Sequence, residues 1–71
     1  MAESVYKIVD LVGTSTESWE AAAKNAVQTA AQSIRDLRVA EATRFDVTIQ
    51  DGKVAEYRVR LGISFKYEAG D

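Results

Sequence analysis

The residues able to do chemistry in this chain are oxygen ligands, guanidinium groups and a few aromatic rings. Cysteine and histidine are both absent from its 71 residues. Their absence removes thiolate and imidazole metal sites, disulfides, and catalysis by either residue type. Hard oxygen donors remain, and a metal held by such donors would be calcium or magnesium. No EF-hand loop of the D-x-D-x-D-G form occurs. A pair of carboxylates can support acid–base work, but no nucleophile–base constellation accompanies one here. No catalytic residue is assigned, and the chain reads as a binding protein rather than an enzyme.

Three segments must position these groups. Val5 to Val12 (VYKIVDLV) is short and rich in β-branched and aromatic residues, which predicts a strand that Gly13 ends. From about Ser18 to Arg38, Trp19, Ala22, Ala23, Ala26, Val27, Ala30, Ile34 and Leu37 recur at helical spacing. Thr14 and Glu17 have capping-box spacing before it, and Ser15 or Thr16 would cap equally well. The apolar stripe is mostly alanine, so the helix must lie tightly on a flat surface. From Ala55 to Tyr67 the alternation is nearly perfect. Tyr57, Val59, Leu61, Ile63 and Phe65 face one way, and Glu56, Arg58, Arg60, Ser64 and Lys66 the other. Val39 to Ile49 is the partner strand, with Val39, Phe45, Val47 and Ile49 on its apolar side. Asp51-Gly52 is the turn.

Parity constrains that hairpin. A simple two-residue Asp-Gly loop pairs Phe45 with Arg58 and Val47 with Glu56, mixing apolar and charged residues on one face. A shift of one residue in either direction restores the match. A three-residue loop with Gly52 as a G1 bulge sets Asp46 opposite Glu56 and Arg44 opposite Arg58. The opposite shift sets Asp46 against Arg58 and Thr48 against Glu56, which is better electrostatically. One register makes a carboxylate pair and the other a salt bridge. The sequence leaves both open.

The expected architecture is α+β, in the order β-α-β-β, with a three-stranded antiparallel sheet curled around one amphipathic helix. Residues 1–71 form a single domain. A core this small supplies only about 3–5 kcal/mol. Without disulfides, association is the first candidate for the missing stability, and uncovered apolar surface points the same way. Nine basic and eleven acidic residues give a net charge of −2. That balance argues against nucleic acid as a partner. The first ten residues lack a signal-peptide pattern and no apolar run is long enough for a membrane span, so a cytoplasmic, membrane-free protein is expected.

Val5 to Ser15, opening directly into an alanine-rich helix, resembles the start of dodecins. Asp51-Gly52-Lys53-Val54-Ala55-Glu56-Tyr57, leading to Ile63-Ser64-Phe65-Lys66, resembles their end. The resemblance covers nearly the whole chain without gaps. It implies a hollow homododecamer of 23 symmetry whose partner is itself, and a storage or buffering role. Most dodecins sequester flavins stacked in pairs between tryptophans at two-fold axes.

Departures from that pattern carry the functional question. The family's stacking tryptophan matches Val39, and a valine cannot stack on a flavin ring; the lost ring contact is worth about 1 kcal/mol beyond its area. The glutamine that bonds the flavin's polar edge matches Arg58. One phosphate-assisting arginine matches Asp46, and a second matches Lys66. The resemblance therefore implies that the flavin site, at Val39, Arg58 and Lys66, is lost. Trp19 reads either as a relocated stacking platform or as a packing anchor, and its place on the apolar stripe favours the anchor.

These departures are similar to the calcium dodecin subgroup of mycobacteria, which implies calcium as the cofactor in place of flavin. Asp46 is the first candidate ligand, with Glu56 across the hairpin in the G1 register and Thr48 on the same strand face. Glu41 is another, as an acid on the mostly apolar face of its strand. The three acids Asp46, Glu56 and Glu41 also read as surface or interface salt-bridge partners of Arg44, Arg58 and Arg60. A cation-binding shell, a flavin-sequestering shell with a modified site, and a purely structural assembly are the three functions to be separated.

Overall fold

In the computed structural model the chain builds β1 (Tyr6–Ser15), α1 (Trp19–Ala31), β2 (Leu37–Gln50) and β3 (Lys53–Lys66). The structure describes residues 4–67 of the single domain expected over 1–71; residues 1–3 and 68–71 lie outside the described residues. The sheet order is β1-β3-β2, and both pairings are antiparallel. The β-α-β-β order and the three-stranded sheet agree with the expectation. β3 is the most regularly alternating segment and takes the central position, where both edges are paired.

Packing explains the boundaries that differ. β1 does not stop at Gly13 but runs on to Ser15. The glycine is there because α1 crosses it: a Cβ on Gly13 would collide with the Ala22 carbonyl oxygen. The N-cap is Ser18, whose hydroxyl accepts from the Ala21 amide at 3.0 Å, and not one of the residues 14–17. The helix ends at Ala31, seven residues short of Arg38. Ile34 and Leu37 continued its apolar spacing in sequence, and both still pack against the core. They reach it from the connector and from the start of β2. Asp36, at φ 61°, makes the bend between them.

The core is small: Ala22, Ala26 and Ala30 of α1 on Val59, Leu61 and Ile63 of β3. Val9 and Leu11 of β1 pack against it. α1 spans about 20 Å at 1.5 Å per residue, whereas a 14-residue strand spans about 46 Å. The molecule is accordingly elongated, 54 × 20 × 16 Å. The helix covers the inner face over β1 and β3. It leaves the inner row of β2, including Ala40, Ala42 and Phe45, exposed to solvent.

The β2–β3 hairpin solves its parity problem with bulges. Gln50 pairs with Lys53 around a two-residue Asp51-Gly52 turn, both turn residues having positive φ (54° and 74°). Ala55 is then left over: Ile49 pairs with Val54, but Thr48 pairs with Glu56. The shift places Phe45 opposite Val59 and Val47 opposite Tyr57, apolar against apolar. The G1 register, and with it the direct Asp46–Glu56 pair, does not occur. Two further shifts lie on β2, at Thr43 and at Arg38. The extra residue at Thr43 uses its hydroxyl to donate to the Arg60 carbonyl at 3.2 Å.

Candidate functional site

The chemistry-bearing side chains gather on the sheet face opposite the helix, the open face. β3 brings Glu56, Arg58, Arg60, Ser64 and Lys66 there. Tyr6, Ile8, Asp10, Val12 and Thr14 come from β1. β2 supplies Thr48, Asp46, Arg44, Glu41 and Val39. The register stacks these into rows: Thr14–Arg58–Asp46, then Val12–Arg60–Arg44, then Asp10–Gly62–Glu41, then Ile8–Ser64–Val39.

Asp46 is held by Arg58. Arg58 Nε donates to Asp46 Oδ1 at 2.7 Å, and Nη2 donates to Oδ2 at 3.0 Å. This is the bidentate fork that suits guanidinium and carboxylate. The hydrogen-bonded guanidinium holds the Asp46 carboxyl below its ordinary value, against the desolvation that would raise it, and the charge of Arg44 adds to the lowering. Asp46 in turn raises Arg58. Both side chains remain about 40 % exposed (43 % and 39 %), so water screens the pair.

The other candidates are dispersed. Thr48 and Glu56 face each other one row nearer the turn, so Glu56 meets Asp46 only diagonally, with Arg58 alongside. Glu41 does not sit on the apolar face. The extra residue at Thr43 turns it to the open face, opposite Gly62. Val39 is turned the same way, pairs with Ser64 and is 62 % exposed. Arg58 lies six residues from Ser64 along β3, about 20 Å away, so Val39 and Arg58 do not meet within one copy. Lys66 pairs with Tyr6 one row beyond Ile8–Ser64–Val39.

Asp10 was not among the sequence candidates. It stands across Gly62 from Glu41, and its Oδ2 lies 3.8 Å from Arg60 Nη2. The signal was an acid between Ile8 and Val12 on the outward row of β1. With no side chain on Gly62, the two carboxylates flank an open position. Among the described residues no three acidic groups converge closely enough to hold a metal ion. Calcium takes six to eight oxygens, so one copy does not supply a coordination sphere.

Trp19 is an anchor. Its Nε1 donates to the Asp46 carbonyl at 3.1 Å, on the free edge of β2. Its ring meets Tyr57 and Phe45 edge-on, with centroids 5.1 and 6.0 Å away. That contact ties the start of α1 to the strand that carries Asp46. No helix among the described residues is long and apolar enough to cross a membrane.

Known proteins give the same reading of the fold. The dodecin family model matches residues 5–68. The calcium dodecin of Mycobacterium tuberculosis is 46 % identical over 63 residues, 89 % of each chain. Its crystal structure is described as that of a calcium-chelating antigen with a novel calcium-binding site. It superposes with a TM-score of 0.81 at 45 % identity, covering 96 % of this chain and 97 % of that one. A dodecin from Streptomyces coelicolor superposes with a TM-score of 0.92 at 36 % identity, covering 99 % of this chain and all of the other. Family model, sequence relatives and superposed structures agree: the chain belongs to the dodecin family.

Proposed function

We propose that this protein is a self-assembling binding protein, a homododecameric shell, that takes up calcium between its copies and does not stack flavin in the family's usual manner. The observation that carries this reading is the row Asp10–Gly62–Glu41, which shares a sheet face with the Asp46–Arg58 pair two rows away. It puts acidic groups on the one sheet face that the helix leaves bare. One copy offers too few oxygens, and a symmetry axis would multiply each carboxylate by two or three. Glu41, which makes no ion pair among the described residues, is the ligand most available to a cation. Asp46, Glu56 and Thr48 form the second cluster, where a cation would have to compete with Arg58 for Asp46. Similarity to the calcium dodecin supports calcium over magnesium.

Against the flavin alternative stand Val39, which presents no ring on the open face, and Arg58, which is engaged with Asp46. Trp19 offers no substitute platform, because its ring is packed on Phe45 and Tyr57. The role is therefore storage or buffering of a cation by a cytoplasmic protein, without catalysis. Chelation tests it. A ligand that binds only the folded state stabilises that state by mass action. Treatment with a chelator lowers the melting temperature and added calcium restores it; a protein indifferent to both but yellow on isolation would support the flavin-binding alternative.

A further inference from the structure

The helix leaves a second surface bare besides the open face. On the inner face, α1 and the exposed row of β2 enclose a slot of about 330 Å³, lined by Trp19, Glu20, Ala23, Ala42, Phe45 and Val59. Its walls are almost wholly apolar, with the Glu20 carboxylate at the rim and Lys24 one turn further along the helix. Phe45 is 56 % exposed, an unusual state for an aromatic residue on the core side of a sheet.

At the other end of the same hairpin, the strands outrun the helix. Ile49 and Val54 pair directly across the tip and are 69 % and 53 % exposed. They are flanked by Asp51 and Lys53. The tip presents two branched aliphatic side chains between one acid and one base. The slot presents an apolar recess with one acid, Glu20, in its wall and one base, Lys24, a turn further along the same helix. The tip cannot fill its own slot: the Phe45–Val59 row lies four residues back along β2, about 13 Å away on a continuous ladder.

We propose that the Ile49/Val54 tip of one copy docks in the Trp19–Ala23–Phe45 slot of a second copy, with Lys53 toward Glu20 and Asp51 toward Lys24. The contact is heterologous, two different patches of one chain, and such contacts propagate into closed rings when the rotation allows it. This inference rests on the self-association proposed above and names the surfaces that carry part of it. It accounts for two exposed apolar features of the inner face with a single contact. It also accounts for the bulge at Ala55, whose register shift turns Val54 into the inner row, opposite Ile49.

The absence of cysteine makes the test clean. Ala23→Cys and Val54→Cys are made separately, then co-expressed and treated with a short bismaleimide. A covalent dimer in the co-expressed sample, absent from either variant alone, is the expected result. A second measurement does not depend on cysteine chemistry. Lys53→Glu raises the concentration at which the assembly half-dissociates by roughly fivefold, and adding Glu20→Lys recovers most of that loss. Native mass spectrometry on the same samples separates the two claims. An intact assembly without the mixed cross-link overturns the docking while self-association stands. Monomers throughout overturn both.

Discussion

Asp46 and Arg58 face each other across the β2–β3 ladder and are joined by two hydrogen bonds of 2.7 and 3.0 Å. The Asp46 backbone carbonyl also accepts the indole N–H of Trp19. One residue thus ties the open face of the sheet, through its side chain, to the helix on the other face, through its main chain. The pair exists only because Ala55 is bulged out; with an unbroken two-residue hairpin, Arg58 would face Phe45.

The acid limb of the stability curve reports this pair. The Asp46 carboxyl is lowered in the folded protein, so the pair contributes stability above the ordinary carboxylate value, about 3.9. That contribution is lost as pH falls through the lower folded value. Arg58, raised by the same bond, would lose its share only at strongly alkaline pH. In urea titrations Asp46→Asn therefore loses less stability than the parent between about pH 5 and pH 2. Equal acid limbs would mean that the pair has no net effect.

Gly13→Ala tests the fit of helix on sheet. The added methyl would meet the Ala22 carbonyl oxygen, a backbone atom that cannot move without shifting α1. The cost is about 3 kcal/mol in urea unfolding at fixed protein concentration. By contrast, Gly52→Ala meets nothing within 4 Å, and its cost is about 1 kcal/mol from the positive φ alone.

Trp19→Phe retains a ring on Phe45 and Tyr57 but removes the indole donor. It costs about 1 kcal/mol. Trp19→Ala also strips the ring contacts and costs about 3 kcal/mol. Because Trp19 is the sole tryptophan, its fluorescence reports unfolding directly. Riboflavin added in stoichiometric amount leaves that fluorescence unchanged; strong quenching would instead mark Trp19 as a stacking platform.

Much of this fold is legible in the sequence, and the exceptions have physical causes. The alternation of β3 gave its buried row, Val59, Leu61 and Ile63, because a central strand with one covered face must alternate. Helical spacing runs on past the end of α1 because Ile34 and Leu37 continue it, although they reach the core from a connector and a strand. Gly13 has the look of a strand stop in sequence, and in the fold it marks a close crossing inside β1. The largest departure from the sequence pattern is at Val39 and Glu41. Pattern alone assigns both to the apolar face, and nothing local announces the extra residue at Thr43 that turns them over. Parity did show that the hairpin needed a one-residue correction. Where that residue would go depends on packing between strands, which a one-dimensional pattern does not contain.

Glu41→Gln separates the two carboxylate clusters. If the Asp10–Gly62–Glu41 row holds the cation, this variant loses most bound calcium by elemental analysis, while Glu56→Gln retains it. The reverse order would move the site to Asp46, Thr48 and Glu56.

Native mass spectrometry of protein isolated without added ligand tests the central claim most directly. A species at twelve times the 7.8 kDa subunit mass, carrying excess mass in steps of calcium that disappear on chelation, is the predicted result. A monomer, or a closed shell whose excess mass comes in steps of a flavin, would contradict it.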